Sequence, residues 1–314
     1  MKIKIFHLIV FILLIYGIYR SNTIFFDDKN LNKAMITNNS VEGFTVKKTM
    51  IRQTPHEIYD EFYCKLYDKL FGSNMRVEYE FMSTESKYIQ NCKMDKIHIL
   101  DVGCGTGHLL RIARRKKYEV DGMDNSKIML KHAAEIAPGT RLIHGDYHNQ
   151  AKFPEEKYSH VYCLFFTIYY SNDLDKVFKN LNWTLKPKGF LFLHIVDRDR
   201  FDPVLEAATR LIPFYDPQKH AKVRKTDTTI TFNNLKYNST WDFSSKRDVQ
   251  FKEKFILNDG RIMQNIHHFN IPSEKEVLKL ANNNGFKLVK IVDLTIANHK
   301  YNYIYCLKKK KGKN

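Results

Sequence analysis

A glycine-rich segment between an apolar run and an amphipathic one constrains the fold of this chain more than any other feature. Residues 97–100 read IHIL, which predicts a buried strand, and residues 108–113 read HLLRIA, which has the apolar spacing of a helix. The seven residues between them, 101–107, read DVGCGTG. Glycines at a turn from a strand into a helix let the backbone approach a nucleotide in open α/β sheets. The segment therefore predicts an α/β fold with a ligand at this turn.

The spacing of these glycines excludes two common nucleotide-binding motifs. A dinucleotide fingerprint needs a third glycine five residues after the first, and that position holds His108. A phosphate-binding P-loop needs a Gly-Lys-Ser/Thr sequence, which does not follow the glycines. Instead an acid, Asp101, precedes the first glycine. A carboxylate there is badly placed for a pyrophosphate and well placed for an ammonium group.

The segment Asp101–Gly107 resembles the first motif of class I S-adenosylmethionine-dependent methyltransferases, of the small-molecule type with a domain of the 11/25 kind. Further motifs follow in order: a second strand ending at Asp124, a third leading to Asp146, and a fourth at residues 158–166. The resemblance covers roughly residues 55–308. It implies an α/β fold with a seven-stranded, doubly wound, mostly parallel sheet and helices on both faces.

The resemblance implies S-adenosylmethionine as the cofactor. It assigns Asp124 to the two ribose hydroxyls and Asp146 to the adenine amino group, and an acid about 20 residues beyond the glycine turn also suits a ribose diol on physical grounds. Asp101 would face the ammonium group. The other predicted cofactor-binding residues are Gly103, Cys104, Gly105, Gly107, Asn125, Met129, Tyr147 and Leu164.

Other residues near these motifs are open to a catalytic interpretation. Cys104 is interpreted as a small loop residue rather than a nucleophile, because no partnering base lies within sequence reach. Related enzymes often carry Asp at the position of Ser159 and His at that of Tyr170, so the resemblance implies little about catalysis here. It also makes Tyr63 and Tyr67, from the predicted helix 57–71, candidates to close over the cofactor.

Residues 197–272 exceed what the core fold needs and alternate apolar with polar side chains. The pattern predicts an antiparallel β meander with turns at Asn233-Asn234 and Asp259-Gly260. The insertion follows the carboxyl end of a core strand, which is the edge where open α/β sheets bind ligands. We interpret it as a lid or wall over the acceptor site.

A two-residue turn at Asp259-Gly260 sets the register of the last hairpin so that residue 253 faces residue 266. In that register Glu253, Gln264 and His268 share one otherwise apolar face. A buried carboxylate or imidazole needs a partner. Glu253 and His268 are therefore candidate catalytic residues that orient or deprotonate an acceptor; the alternatives are a satisfied internal hydrogen bond or exposure at the sheet edge.

The first thirty residues predict a link to the membrane. Residues 5–19 read IFHLIVFILLIYGIY, which is short for a transmembrane helix, but flanking lysines can extend its effective length. We expect a single-pass anchor over residues 1–20, a linker over 21–50 and the methyltransferase domain over 51–314. A signal peptide and a surface-lying helix are the alternatives. Basic residues flank the run on both sides; we expect a membrane protein whose catalytic domain faces the cytosol.

The chain is strongly basic, since 51 Lys and Arg exceed 34 Asp and Glu by 17. Such a charge favours anionic partners in general, but the sequence lacks the [DN]-P-P-[YF] motif and the Pro-Cys dipeptide of nucleobase methylation. There is thus no specific nucleic-acid signal. None of the five cysteines pairs at CxxC spacing, so no metal site is predicted.

Three functions remain open at this point. The anchor favours methyl transfer to a small-molecule or lipid-like acceptor. The alternatives are methylation of protein or nucleic acid, and a catalytically silent cofactor-binding scaffold at the membrane. The sequence specifies neither the acceptor nor the oligomeric state.

Overall fold

A computed structural model describes residues 49–310, except for residues 73, 91–93, 95, 210–216 and 220. The predicted anchor at residues 5–19 and nearly all of the predicted linker lie outside the described residues. Among the helices that the structure does describe, none combines the length and the apolar character needed to cross a bilayer.

Strands dominate the described part of the chain. They are numbered β1 to β12 in chain order and comprise Thr49–Arg52, His98–Val102, Glu119–Asp124, Arg141–His144, Tyr158–Cys163, Leu185–Val196, Asp227–Thr231, Leu235–Asp242, Asp248–Leu257, Ile262–Asn270, Phe286–Asp293 and Asn302–Lys309. The α-helices are numbered α1 to α8 and comprise Pro55–Ile58, Glu61–Phe71, Asn74–Thr84, His108–Arg115, Lys127–Ile136, Leu174–Thr184, Glu206–Thr209 and Glu274–Asn283. A 3₁₀ turn at Thr167–Tyr170 follows β5.

Seven strands form the predicted mostly parallel sheet, in the order β11-β12-β6-β5-β2-β3-β4. Strands β4, β3, β2, β5 and β6 run parallel, and β12 lies antiparallel between β6 and β11. The chain builds outward from β2 on one side and resumes with β5 on the other. Such a switch in strand order opens a crevice at the carboxyl ends of the strands. The α/β fold class and the seven-stranded sheet are thereby confirmed.

The insertion folds as the predicted antiparallel meander and belongs to a second sheet, in the order β1-β10-β9-β8-β7. Strand β1 joins this sheet from the N-terminal side and pairs parallel to β10. The two sheets are not separate units, because one hydrophobic cluster contains buried residues of both. For example, Phe62 of α2 packs edge-on against Phe255 of β9, with ring centroids 5.4 Å apart.

The register of the β9–β10 hairpin differs from the prediction by one residue. Glu253 pairs with Asn265, not with residue 266. The loop between the strands has three residues rather than two: the amide of Leu257 donates to the carbonyl of Arg261, at 3.0 Å, and Gly260 adopts a left-handed φ of 86°. Because side chains alternate along a strand, this shift exchanges the faces of all β10 side chains.

Helix α2 begins later than the predicted helix 57–71. The chain leaves the helical conformation at Tyr59 and Asp60, and the Asp60 carboxylate caps α2 by accepting a hydrogen bond from the amide of Tyr63, at 2.8 Å. The break lets the ring of Tyr59 point toward Tyr170 of the 3₁₀ turn and His267 of β10.

Candidate functional site

A cavity of about 750 Å³ opens at the carboxyl ends of β2, β3 and β5, between the glycine turn, helices α2 and α3 and the inserted sheet. Most of the predicted cofactor-binding residues line it: Asp101, Gly103, Cys104, Gly105, Asp124, Asn125, Met129, Asp146, Tyr147 and Leu164. Gly107 is not part of the lining. It begins α4 in a left-handed conformation, and a Cβ there would lie 3.0 Å from Ala133.

The glycine turn is fixed against β3 and leaves free space above it. The amides of Gly103 and Cys104 both donate to the carbonyl of Met123, at 2.8 and 3.0 Å. A Cβ on Gly103 would lie 2.4 Å from Thr167, whereas a Cβ on Gly105 would meet no atom within 4 Å. The turn thus forms a cradle whose open side at Gly105 is available to a ligand.

Two acids, the buried Asp101 and the partly buried Asp124, face this cradle. Burial raises the pKa of Asp101 to about 8, helped by the nearby charges of Asp124 and Glu80. Burial also raises the pKa of Asp124, although its carboxylate accepts hydrogen bonds from the amides of Gly105 and Ser126, each at 2.9 Å. Carboxylates in this state favour a cationic or hydroxyl-bearing ligand, which would replace the water that burial removes.

Helix α3 adds two cavity residues that the sequence analysis did not identify. Arg76 forms an ion pair with Glu80, with Nη1 and Oε1 3.0 Å apart, and its guanidinium stacks 4.1 Å from the centre of the Phe165 ring. Both Arg76 and Glu80 are buried and line the cavity. Their spacing of four residues, next to the apolar Val77 and Phe81, is the signal that indicates a buried pair.

The turn after β4 carries the predicted adenine-contacting residues. The Asp146 carboxylate accepts hydrogen bonds from the amide and the Nδ1 of His148, both at 2.8 Å, and it is largely exposed at the rim. The Tyr147 hydroxyl donates to the carbonyl of Thr167, at 3.3 Å. The structure brings both residues to the cavity, and their contact with adenine stays a prediction.

Phenylalanine and tryptophan rings form part of the lining of the cavity. The rings that line it are Phe71, Phe165, Phe166, Phe201, Trp241, Phe251 and Phe269. The Trp241 ring centre lies 4.7 Å from that of Phe251 and 5.3 Å from that of Phe166. The Nε1–H of Trp241 is buried, and no described residue accepts a hydrogen bond from it. Three of these rings, Trp241, Phe251 and Phe269, belong to the inserted sheet. The seven rings together form an aromatic wall with one buried donor that has no described partner.

The predicted position of His268 at the acceptor site is wrong. Its side chain is 44% exposed and pairs with Asp248, at 3.2 Å, on the outer face of the sheet. The one-residue register shift places His267 on the inner face instead, where it lines the cavity and its Nε2 lies 2.8 Å from Oε2 of Glu253. Glu253 is buried behind it and does not line the cavity.

The remaining candidate residues also lie at the cavity. Tyr63 and Tyr67 line it from α2, and burial raises the pKa of both phenols. Burial raises the pKa of the Cys104 thiol well above its usual range, which leaves the thiol protonated and supports its interpretation as a loop residue. Within the described residues, no group of three or more His, Cys, Asp or Glu side chains is arranged to hold a metal ion.

Comparison with known families identifies one domain. Residues 99–189 match the family model of a methyltransferase domain. This stretch runs from β2 into β6 and contains the glycine turn, Asp124 and Asp146. No curated protein sequence matches the chain significantly.

Solved structures share the fold over most of their length. An S-adenosylmethionine-dependent methyltransferase from Clostridium acetobutylicum is 19% identical, with a TM-score of 0.59, and the match covers 79% of this chain and 98% of that one. CalS10, an amino pentose methyltransferase from Micromonospora echinaspora solved with S-adenosylmethionine bound, is 17% identical, with a TM-score of 0.56 and coverages of 80% and 98%. KedS8, a sugar N-methyltransferase from a Streptoalloteichus species, is 16% identical, with a TM-score of 0.54 and coverages of 88% and 98%.

Proposed function

We propose that this chain, a class I S-adenosylmethionine-dependent methyltransferase, transfers the methyl group to a small-molecule acceptor held against the aromatic wall of its cavity. The observation that carries the proposal is the composition of that single cavity. Acids and an open glycine turn form one part of its lining, and aromatic rings form another.

The charges on the glycine side fit the amino-acid part of the cofactor. Asp101 offers a carboxylate to its ammonium group, and Arg76 of α3 offers a guanidinium to its carboxylate. Asp124, held in place by two backbone amides, presents its carboxylate to the ribose hydroxyls. The sulfonium of the cofactor supplies an activated methyl group, so the protein mainly orients the reactants and excludes water.

The aromatic side supports an acceptor with an apolar or planar body. Trp241, Phe166 and Phe269 offer ring faces, and the free Nε1–H of Trp241 suits one acceptor oxygen or nitrogen. Two of the similar structures are named as enzymes acting on sugars, which also favours a small molecule. A lipid-like molecule with a polar head would equally fit such a chamber.

The apolar run at residues 5–19 supports a further part of the proposal, that the protein is tethered to a membrane with the catalytic domain in the cytosol. The basic tail at residues 308–313 would then be a solvated end or a contact with anionic lipid headgroups. A tether would place the cavity close to a lipid-like or membrane-delivered acceptor.

Labelling of a cell extract tests the acceptor class. Full-length protein is incubated with extract and cofactor carrying a radioactive methyl group, and the label is followed into lipid, small-solute, protein and nucleic-acid fractions. We expect label in the lipid or small-solute fraction, and none with the matched Asp124→Ala variant. Label confined to protein or nucleic acid would contradict the proposed acceptor class. Cofactor binding without any labelling would favour a silent scaffold.

A further inference from the structure

Four side chains form a continuous hydrogen-bonded chain from the cavity into the inserted sheet. The hydroxyls of Tyr59 and Tyr170 lie 2.9 Å apart, and the Tyr170 hydroxyl lies 2.5 Å from Nδ1 of His267. Nε2 of His267 lies 2.8 Å from Oε2 of Glu253. Tyr59, Tyr170 and His267 line the cavity, whereas Glu253 is only 2% exposed. We call these four residues the tyrosine–histidine relay.

The direction of each hydrogen bond follows from the chemistry of Glu253. Its carboxylate also receives hydrogen bonds from the Tyr237 hydroxyl, at 2.8 Å, and the Asn265 amide, at 2.9 Å, so it acts as an acceptor throughout. Nε2 of His267 must then carry a hydrogen, which leaves Nδ1 of the neutral ring as an acceptor for Tyr170. The oxygen of Tyr170 in turn accepts from Tyr59. Every bond therefore points toward Glu253.

The surroundings of His267 suit a ring that gains a proton. The titratable groups that face it are Glu253 from β9, Tyr170 from the 3₁₀ turn and Tyr59 and Tyr63 from the N-terminal helices. Burial raises the pKa of all three phenols well above the usual range, so they stay neutral and can donate hydrogen bonds. A protonated His267 would thus lie between neutral hydroxyls and one carboxylate that stabilises its charge.

Hydrogen bonds connect the carboxyl group of Glu253 to the edge of the inserted sheet. Asn265, which donates to Glu253, accepts a hydrogen bond from Nε of Arg52 in β1, at 2.8 Å, and Arg52 forms an ion pair with Asp60. The guanidinium is therefore separated from His267 by an amide and is balanced by its own acid. The relay is connected to the cap of α2 without a cation in direct contact with the imidazole.

We propose that the tyrosine–histidine relay accepts the proton that the acceptor loses during methyl transfer, and hence that the acceptor presents a hydroxyl or an N–H group. This inference rests on the proposed function. A bond forms between the oxygen or nitrogen of the acceptor and the methyl carbon, while the carbon–sulfur bond breaks and its electron pair returns to sulfur. The proton of the acceptor passes to the oxygen of Tyr170, directly or through Tyr59, as the hydroxyl proton of Tyr170 passes to Nδ1 of His267. Glu253 is a positioning residue that orients the ring.

The tautomer of His267 tests the relay without knowledge of the acceptor. Full-length protein labelled with ¹⁵N-histidine and bound to S-adenosylhomocysteine is examined by NMR, which reports the ring nitrogen that carries the hydrogen. His267→Gln assigns the signal, and His268→Gln serves as the matched control from the exposed face. We expect the neutral ring to carry its hydrogen on Nε2 and to accept a hydrogen bond at Nδ1.

A neutral ring that carries its hydrogen on Nδ1 would overturn the relay. Calorimetry of S-adenosylhomocysteine on the same samples separates the two claims. An absence of binding in the wild type would contradict the proposed function, whereas binding together with a hydrogen on Nδ1 of His267 would contradict the relay alone.

Kinetics on the extract fraction that the wild type labels give a second readout. Tyr170→Phe keeps the ring and removes the hydroxyl that connects the acceptor to His267. We expect kcat to fall by about 10²-fold in this variant, with KM and cofactor affinity unchanged. His268→Gln, on the exposed face, should keep the wild-type kcat. A kcat of Tyr170→Phe equal to that of the wild type would overturn the relay.

Discussion

At the scale of single residues, the ionisation of Asp101 determines how the cavity responds to a ligand. Burial raises the pKa of this carboxyl to about 8, so the group is largely protonated at neutral pH while the cavity holds no cation. An ammonium group binds the ionised form. A ligand of this kind must therefore displace a proton from Asp101 when it enters at neutral pH.

This linkage predicts proton release on cofactor binding. At pH 7 we expect S-adenosylhomocysteine to release nearly one proton, and its affinity to rise up to about tenfold per pH unit below pH 8. Calorimetry at pH 7 in buffers of different ionisation enthalpy measures the release. Asp101→Asn, which keeps the shape and cannot ionise, should bind more weakly and release none. Equal proton release by both proteins would contradict the assignment of Asp101.

The sequence predicted site residues correctly where a single residue type, at a fixed spacing, meets one chemical requirement of the ligand. The acids Asp101 and Asp124 follow strands at a fixed spacing from the glycines, and the structure brings both to the cavity. The spacing of Arg76 and Glu80 indicates a buried pair but not its place at the cavity, and His267 carries no local pattern. Arg76 reaches the cavity because α3 packs over the glycine turn, and His267 does so because of a strand register. Both are consequences of tertiary packing, which the spacing of residues along one chain does not encode.

At the scale of secondary structure, the accuracy of the predictions depended on the lengths of the turns. The order of strands and helices followed from apolar periodicity and breakers, so the core sheet was predictable. The Asp259-Gly260 dipeptide predicted a hairpin, but it is compatible with a two-residue loop or with a three-residue loop that has Gly260 in the left-handed position. The dipeptide alone does not determine which loop forms. With the three-residue loop, the histidine on the inner face of the sheet is His267 and not the predicted His268.

The glycine turn after β2 supports a matched pair of substitutions. Both Gly103 and Gly105 have positive φ, so alanine is strained by about 1–2 kcal/mol at either position. A Cβ at position 103 would also collide with Thr167, whereas a Cβ at position 105 would enter the open cradle. We expect Gly103→Ala to lower the free energy of unfolding more than Gly105→Ala does. We expect Gly105→Ala to keep the fold and to weaken S-adenosylhomocysteine binding by tenfold or more (about 1.4 kcal/mol).

Denaturant unfolding and calorimetry on both glycine variants measure these two effects. The reverse order, in which Gly105→Ala unfolds more easily than Gly103→Ala and binds the cofactor normally, would show that the ligand does not occupy the cradle.

At the scale of the whole molecule, the two sheets act as one body around the cavity. The core sheet supplies Asp101 and Asp124, and the inserted sheet supplies His267 and three of the aromatic rings, Trp241, Phe251 and Phe269. Their shared hydrophobic core makes the position of His267 relative to the glycine turn a property of the entire fold. The chain has 17 more Lys and Arg residues than Asp and Glu residues, and this net charge bears on association with anionic surfaces.

Membrane association is a property of the whole chain that can be measured directly. We expect the full-length protein to float with vesicles of phosphatidylcholine and phosphatidylserine in a density gradient. Removal of residues 1–48 should abolish flotation and leave S-adenosylhomocysteine binding intact, because the cavity lining that the structure describes comes from residues 55–302. Equal flotation of both forms would contradict a tether at residues 5–19.

Calorimetric titration of the full-length protein with S-adenosylhomocysteine tests the central claim most directly, namely that the cleft above β2 and β3 binds this cofactor. The account predicts one site per chain in the wild type, and loss of measurable binding in Asp124→Ala with its thermal stability retained. A wild-type protein that is folded and yet shows neither heat of binding nor a change in melting temperature would contradict it.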